Sequence, residues 1–200
     1  MTYSCGYAKD TWITLFNGVD LAGWKPNVHP KSWAVEEGAI KAQATNKYSH
    51  LFYVGHSKTD SYRTFDDFIL ELEVRTGPSA NGGIYFHTDF DARGQRHALT
   101  KGYELQINSS ELEKRKTGSL YKVVDLDQSP VDETSWFKVR LTVKGKRITI
   151  EINNQVVVDY LEPAEIQRER KLLDKGGAIA LQAHDPDSVV YYRKIRIKEL

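Results

Sequence analysis

The chain has 200 residues, of which 40% are hydrophobic and 28% are charged, and this composition excludes an extended disordered chain. Its formal net charge of +1 gives no electrostatic reason to expect nucleic acid or an anionic membrane as a partner. The one cysteine, Cys5, excludes an internal disulfide, and the absence of any run of about 18 apolar residues argues against a membrane-spanning helix.

The N-terminal residues MTYSCGYAKDTW lack the basic stretch and the apolar stretch that a signal peptide requires. We therefore expect a cytoplasmic protein, or a secreted or periplasmic one if a leader precedes this sequence. Cys5 lies in no lipid-attachment motif, so it is interpreted as an ordinary free thiol.

Short strand-like segments recur from end to end and are separated by turn signals. A first apolar run begins at Ile13 and ends at the Asn17-Gly18 pair, a strong turn signal. The residues from 33 to 40 predict two short strands around Glu37-Gly38. The further predicted strands are 50–54, 68–75, 81–87, 103–108, 139–143, 148–152, 155–160, 178–184 and 189–199.

The segment 162–175 has a helix-forming composition, and Pro163 suits a first helical turn. It is predicted to be either one short helix or a charged loop. No repeat, low-complexity tract or linker divides the chain, so we predict a single domain over residues 1–200, with residues 1–12 as an N-terminal extension. About a dozen short strands with almost no helix indicate an all-β fold, an antiparallel β-sandwich with at most one short helix.

The strands on either side of the loop at 88–102 each place polar side chains opposite an apolar side. Successive side chains of a strand point to opposite faces, so Tyr85 and His87 share one face of their strand. The polar positions that other strands add are Glu71, Glu73, Arg75, Glu104, Gln106, Asn108, Gln182 and His184. If these strands are neighbours, spacings of roughly 4.8 Å between strands and 7 Å along them put all these groups in one sugar-sized patch.

The competing interpretation is an ordinary solvated face, because an antiparallel sheet normally turns one polar side to water. The meander over 139–152 shows what such a face looks like, since Arg, Thr, Lys and Glu occupy its polar positions. The predicted patch is instead rich in Gln, His, Tyr and Glu, whose fixed donors and acceptors suit hydroxyl groups. We therefore favour a ligand-binding face.

Other site types receive less support. The six histidines show no HExxH or paired-cysteine spacing, so no zinc site is predicted. The basic RKIRIK stretch alternates with isoleucines as an ordinary strand does, and no phosphate loop or nucleophile elbow occurs. A divalent cation such as calcium stays open as a cofactor, although no EF-hand spacing supports it. The carboxylates that would hold it are Asp66, Asp67, Asp89, Asp91, Asp185 and Asp187.

Seven segments occur in an order that is similar to a known family: LFNGVDLAGW, WAVEEGAI, FDDFILELEV, NGGIYFH, GYELQI, TGSLY, and IALQAH followed by YYRKIRIKEL. From Leu15 to Leu200 the chain resembles the 3-keto-disaccharide hydrolase family, formerly domain of unknown function 1080. The resemblance implies a concanavalin A-like jelly-roll sandwich with the site on its concave face. It also implies cleavage of the glycosidic bond in glycosides whose sugar carries a ketone at C3.

The chemistry that the resemblance implies needs few groups. A C3 ketone acidifies the hydrogen on C2, so a base can remove it to form an enolate, which expels the C1 substituent before water adds. Such a site needs a base, an acid for the leaving oxygen and donors for the enolate oxygen. Direct hydrolysis by two carboxylates is the competing mechanism. A non-catalytic, lectin-like sugar-binding module is the alternative function, because a fold does not decide a function.

The residues that match the family pattern are Asn81, Glu104, Gln106, Tyr121, Gln182 and His184. The chain departs from the pattern at Gly82, where serine is common, and at His87, where arginine is usual. We predict Glu104 and His87 as catalytic acid/base residues, with His184 as a further candidate. The side chains predicted to bind the substrate are Glu71, Glu73, Asn81, Tyr85, Gln106, Tyr121 and Gln182.

Overall fold

The computed structural model describes residues 11–55, 63–90, 99–168 and 170–200. The strands in these ranges are β1 (Ile13–Thr14), β2 (Trp24–Pro26), β3 (Trp33–Glu36), β4 (Ala39–Ala42), β5 (Ser49–Tyr53), β6 (Phe68–Thr76), β7 (Asn81–Thr88), β8 (Tyr103–Asn108), β9 (Phe137–Lys144), β10 (Arg147–Ile152), β11 (Gln155–Leu161), β12 (Ala178–Ala183) and β13 (Val190–Glu199). The one helix among the described residues is a 3-10 turn, Pro30–Ser32. No helix in these ranges has the length and apolar character needed to cross a membrane.

The strands pair into two antiparallel sheets. Sheet A has the order β11-β10-β9-β6-β13-β4-β3, and β1 also pairs with β13. Sheet B has the order β2-β5-β12-β7-β8. Strands that are distant in sequence lie side by side in both sheets, as in a jelly roll, and the predicted all-β antiparallel sandwich is confirmed.

One large hydrophobic core lies between the two sheets. In β6 the residues Phe68, Leu70, Leu72 and Val74 are buried while the positions between them are partly exposed. Sheet B contributes the alternate side chains of β7, β8 and β12, such as Ile84, to the same core. Each large apolar side chain buried in this way contributes about 1.5–3 kcal/mol, so the period-two pattern fixes which side of each strand faces inward.

Hairpin turns connect neighbouring strands where the sequence predicts them. Glu37 and Gly38 between β3 and β4 have φ values of 50° and 74°, and Asn153 and Asn154 between β10 and β11 have 49° and 66°. Two successive positive φ values match the right-handed twist of the strands that such a turn joins. The described residues of the 162–175 segment form no helix, so the charged-loop alternative is correct there.

Candidate active site

A polar cavity of about 200 Å³ opens on the face of sheet B that points away from the large core. Its lining residues are Tyr48, Asn81, Tyr85, Glu104, Gln106, Glu113, Tyr121, Lys122, Arg170, Gln182 and His184. Most of the predicted site residues are brought together here, namely Asn81, Tyr85, Glu104, Gln106, Tyr121, Gln182 and His184. Their chemical roles remain predictions.

Cross-strand pairing explains why these side chains converge. Tyr85 of β7 lies opposite Glu104 of β8, while Gly83 of β7 lies opposite Gln106 on one side and Gln182 on the other. A Cβ atom on Gly83 would come within 2.6 Å of Glu104 Oε1. Because Gly83 has no side chain, the Glu104 carboxyl group can occupy the space beside it.

The TGSLY segment extends the cavity beyond the edge of sheet B. Its backbone runs along β8, where Gln106 N donates to Ser119 O over 2.9 Å and Tyr121 N donates to Glu104 O over 2.9 Å. This pairing brings Tyr121 and the adjacent Lys122 to the side of the cavity. Lys122 has a φ of 61°, a conformation that an ordinary residue adopts only where its surroundings enforce it.

Glu104 lies in the cavity floor with only 4% of its surface exposed. Burial raises its pKa to about 7, although the Arg170 guanidinium and a hydrogen bond with the Tyr85 hydroxyl act in the opposite direction. Arg170 Nη2 lies 3.6 Å from Glu104 Oε2. A carboxyl group with this pKa can exchange a proton at neutral pH, as a general acid or base must.

Glu113 is a second carboxylate at the cavity, and its pKa moves in the other direction. Burial alone would raise the pKa of Glu113, but hydrogen bonds from the backbone and the guanidinium of Arg115 hold it below its usual value. The Tyr121 hydroxyl also donates to Glu113 Oε2 over 3.4 Å. Glu113 is therefore ionised at pH 7, and its charge contributes to the raised pKa of Glu104. Neighbouring carboxyl groups with pKa values pushed apart can take different roles in one reaction.

His184 is oriented by a chain of side-chain hydrogen bonds. Its Nδ1 lies 2.7 Å from Asp185 Oδ2, which also accepts a hydrogen bond from Ser188 Oγ over 2.9 Å. Because an ionised carboxylate only accepts, Nδ1 carries a proton. Asn81 Nδ2 lies 3.4 Å from His184 Nε2, and Gln106 Nε2 donates to Asn81 Oδ1 over 2.9 Å. Nδ1 is thus occupied by Asp185, and Nε2 is the ring nitrogen that faces the Asn81 amide in the cavity.

Three buried polar atoms of the cavity have no hydrogen-bond partner among the described residues: Gln106 Oε1, Gln182 Oε1 and Arg170 Nη1. The amide nitrogens of both glutamines are engaged, since Gln182 Nε2 donates to the Tyr85 hydroxyl over 3.1 Å and Gln106 Nε2 donates to Asn81. A buried polar atom without a partner costs about 1–3 kcal/mol. The cavity therefore offers two acceptors and one cationic donor to a ligand or to water.

His87 does not line the cavity, so the prediction that it lies in one patch with Tyr85 and Glu104 is wrong. Its Nε2 lies 2.9 Å from Asp66 O, and Leu173 N donates to its Nδ1 over 3.1 Å. The ring stacks on Phe68, with 6.2 Å between centroids. Burial lowers the pKa of His87. Both ring nitrogens are thus occupied by backbone groups, and the neutral ring carries its proton on Nε2.

A β-bulge explains why strand alternation fails at this residue. Ala180 of β12 pairs with Tyr85, whereas Ala178 pairs with Thr88, so β7 has one residue more than its partner at this point. His87 has a φ of 50° in the bulge. A Cβ atom on Gly177 would lie 2.4 Å from the His87 carbonyl carbon, so the glycine makes room for the displaced backbone. A bulge re-aims the side chain that it carries.

Glu71 and Glu73 lie on the outer face of sheet A, so the prediction that they belong to the same patch is also wrong. Arg196 Nη2 is 2.6 Å from Glu71 Oε2, and Arg193 Nη2 is 2.7 Å from Glu73 Oε2. Lys194 Nζ adds a contact of 2.8 Å to Glu73 Oε1. Alternation correctly put both glutamates on a solvent side, but it did not reveal which sheet contains β6.

The departure from the family pattern at Gly82 does not touch the cavity. A Cβ atom on Gly82 would meet Val190 Cγ2 at 3.0 Å and the Tyr192 hydroxyl at 3.2 Å. Both atoms lie on the core side of sheet B. The residue at this position therefore affects packing behind the floor rather than the ligand.

Four cavity residues were not predicted from the sequence: Tyr48, Glu113, Lys122 and Arg170. All of them lie in loops, where no periodicity assigns a side chain to a face. The signals that were available are weak, namely the adjacency of Lys122 to TGSLY and the presence of arginines in the 162–175 segment. Arg170 is the most consequential omission because its Nη2 lies 3.6 Å from Glu104 Oε2.

No three His, Cys, Asp or Glu side chains within the described ranges form a group that could hold a metal ion. Protein groups engage three of the six carboxylates that the sequence suggested: Gly145 N donates to Asp67, Lys101 pairs with Asp89, and Ser188 Oγ donates to Asp185. Asp91 lies outside the described residues.

Solved structures with the same fold include proteins connected with carbohydrates. A chain from Parabacteroides distasonis, described as a candidate glycosyl hydrolase, is 22% identical, with 94% of each chain covered and a TM-score of 0.75. The carbohydrate binding module CBM66 from Bacillus subtilis is 14% identical, with 89% of this chain and 96% of the module covered and a TM-score of 0.58. The exoplasmic/lumenal domain of VIP36, in its Ca²⁺/Man3GlcNAc-bound form, is 10% identical, with 94% of this chain and 87% of that domain covered and a TM-score of 0.61. These identities establish a shared fold.

No curated protein matches the chain significantly. Residues 11–198 match the family described as the 3-keto-alpha-glucoside-1,2-lyase-like domain. This match spans most of the sequence and confirms the resemblance seen in segments such as NGGIYFH and GYELQI. The chain belongs to the 3-keto-alpha-glucoside-1,2-lyase-like domain family.

Proposed function

We propose that this protein cleaves the glycosidic bond of 3-keto-glycosides by elimination across C1 and C2, with Glu104 as the base. The observation that carries this proposal is a buried carboxyl group with a pKa of about 7 in the floor of a polar cavity. A base with a pKa near the working pH is both sufficiently ionised and sufficiently basic. The family description names a 1,2-lyase, which supports elimination rather than direct hydrolysis.

In the proposed reaction, Glu104 takes the hydrogen on C2 as a proton. The electron pair of the C–H bond forms a C2=C3 double bond, and the C3 carbonyl oxygen becomes an enolate. When the carbonyl re-forms, the electron pair moves between C1 and C2 and the C1–O bond breaks. The leaving oxygen takes a proton from His184, whose ring is oriented by the 2.7 Å contact between its Nδ1 and Asp185 Oδ2. Water then adds across the C1=C2 bond.

The cavity also suits the recognition of a sugar. The free Oε1 atoms of Gln106 and Gln182 are acceptors for hydroxyl groups. The volume of about 200 Å³ suits a single pyranose ring with its aglycone outside. The partly buried Tyr121 adds aromatic surface, against which the apolar side of a sugar ring packs.

A non-catalytic sugar-binding module is the second candidate function. It is favoured by the similarity of the fold to the carbohydrate binding module CBM66 and to the VIP36 domain that binds Man3GlcNAc. Glu104 argues against it, because burying a carboxyl group costs stability and a simple binding face gains nothing from a pKa near 7.

The test is to incubate the purified protein with a 3-keto-glucoside that carries a chromogenic leaving group, alongside the unoxidised glucoside, with and without a chelator. We expect release from the keto compound alone. Glu104→Gln is expected to lower kcat by about 10²-fold or more, because the amide cannot accept the proton. Glu73→Gln on sheet A is the matched control and is expected to retain wild-type turnover. Unchanged turnover in Glu104→Gln would contradict the assignment, and saturable binding without release would favour the binding module.

A further inference from the structure

The guanidinium of Arg170 is held inside the cavity by contacts on several sides. Its Cζ lies 5.7 Å from the Tyr85 ring centroid and 5.5 Å from the Tyr121 centroid. Nη2 lies 3.6 Å from Glu104 Oε2 and donates to Leu99 O over 3.4 Å. The planar group is therefore fixed beside the proposed base, with its position determined before any ligand binds.

The other terminal nitrogen, Nη1, is buried and has no partner among the described residues. A guanidinium remains charged throughout the working pH range and has no acceptor capacity. The free Nη1 is thus a preorganised cationic donor, and the atom it suits is an oxygen that carries or acquires negative charge.

We propose that Arg170 is a catalytic residue whose Nη1 binds the C3 carbonyl oxygen of the substrate and stabilises the negative charge on that oxygen when Glu104 removes the C2 proton. This inference rests on the proposed function and deepens it. The enolate oxygen is two bonds from the carbon that loses the proton, so the base and the cation must be neighbours. Arg170 and Glu104 meet that requirement.

The same contact gives the proposed site a way to distinguish a ketone from a hydroxyl group. A ketone oxygen gains nearly a full charge during enolisation, whereas the C3 hydroxyl of an unoxidised glycoside gains none. Arg170 therefore selects 3-keto sugars through the transition state rather than through ground-state binding, which affects kcat more than KM.

The experiment compares Arg170→Met and Arg170→Lys with Lys171→Met, using the chromogenic 3-keto-glucoside. Lys171 is the adjacent basic residue on the same segment, but it is exposed and lies outside the cavity lining. We expect Arg170→Met to lower kcat by about 10²- to 10³-fold with a much smaller change in KM, and Lys171→Met to retain kcat. Circular dichroism and a thermal melt establish that each variant is folded. If Arg170→Met does not fold, Arg170→Lys replaces it in the comparison, because lysine keeps the positive charge but lacks the planar guanidinium.

Two further readouts separate a catalytic from a structural role. Added methylguanidinium is expected to restore turnover to Arg170→Ala, since it replaces the missing cation. Because Arg170 lowers the pKa of Glu104, the rise of kcat/KM with pH is expected to move to higher pH in Arg170→Met. A folded Arg170→Met with kcat within about threefold of wild type would overturn the inference. Wild-type protein that neither releases the chromophore nor exchanges the C2 proton with deuterated water would instead refute the proposed function.

Discussion

Glu104 is an ionisable group in a buried position, and its surroundings offset only part of the cost of ionising it. Burial outweighs the favourable effects of Arg170 and Tyr85, so the pKa rises from 4.5 to about 7. The folded protein therefore holds a proton on Glu104 over a pH range in which the unfolded chain has released it. Ionising the buried Glu104 carboxyl therefore lowers the stability of the folded protein.

This imbalance predicts how Glu104→Gln changes stability with pH. The stabilisation associated with the protonated group is fully present below pH 4.5 and is lost as the pH rises through about 7. We expect the variant to gain stability relative to wild type between pH 5 and pH 8, by an amount on the order of 3 kcal/mol at most. Urea unfolding at several pH values measures the difference. A gain that does not change with pH would show that the Glu104 pKa is not raised in the folded protein.

At the scale of elements, one loop segment carries Arg170 into the cavity. We call residues 162–168 and 170–175 the strap. Glu162 at its start is buried, and its carboxylate receives hydrogen bonds from the Tyr103 hydroxyl over 2.6 Å and from Leu172 N over 2.8 Å. Lys146 Nζ lies 2.7 Å from its other oxygen. Leu173 N then donates to His87, so the bulge in β7 anchors the end of the strap. His87 supports the site through the strap.

The strap is expected to loosen in acid. Burial would raise the pKa of Glu162, but hydrogen bonds from Lys146 and Tyr103 hold it below its ordinary value of 4.5. A lowered pKa contributes stability that is present above pH 4.5 and is lost as the pH falls through the folded value. Glu162→Gln is expected to cost about 1–3 kcal/mol at pH 7 and to remove this acid dependence. Faster hydrogen exchange at the Leu172 and Leu173 amides, measured at pH 7, checks the prediction; unchanged exchange would contradict it.

At the scale of the whole molecule, the two sheets turn chemically different faces to solvent. The outer face of sheet B bears the cavity with its unpaired polar atoms. The outer face of sheet A bears Glu71 and Glu73 in ion pairs with Arg193, Lys194 and Arg196. These three basic residues are therefore paired with carboxylates on the same face.

Removing the carboxylates of sheet A is therefore expected to leave the reaction unchanged. Ion pairs on a solvated face contribute about 0–1 kcal/mol each. Because Glu71 and Glu73 make four such pairs, the double variant Glu71→Gln/Glu73→Gln is expected to lower the free energy of unfolding by no more than about 4 kcal/mol. Turnover of the keto-glucoside by the double variant is the deciding measurement. Loss of turnover in a folded double variant would contradict this prediction and show that Glu71 or Glu73 takes part in the reaction.

Much of the architecture could be predicted from the residues because the relevant signals are local. Period-two alternation depends on one strand at a time, and the hairpin at Glu37-Gly38 depends on two residues with positive φ. The same alternation assigned Tyr85, Glu104, Gln106 and Gln182 to one polar side, and they do line one cavity. The sequence by itself thus determined the sandwich and most of the cavity floor.

Only the tertiary structure decided the remaining features, because they depend on which strands become neighbours. The pairing of β6 with β9 and β13 puts Glu71 and Glu73 in sheet A, which alternation cannot distinguish from sheet B. The bulge that turns His87 away from the cavity appears only in the register between β7 and β12. Arg170 reaches Glu104 through a loop that follows no period, and contacts distant in sequence, to Glu162 and His87, anchor the strap that carries it. Long-range pairing thus selected, among the polar residues, the ones that share one site.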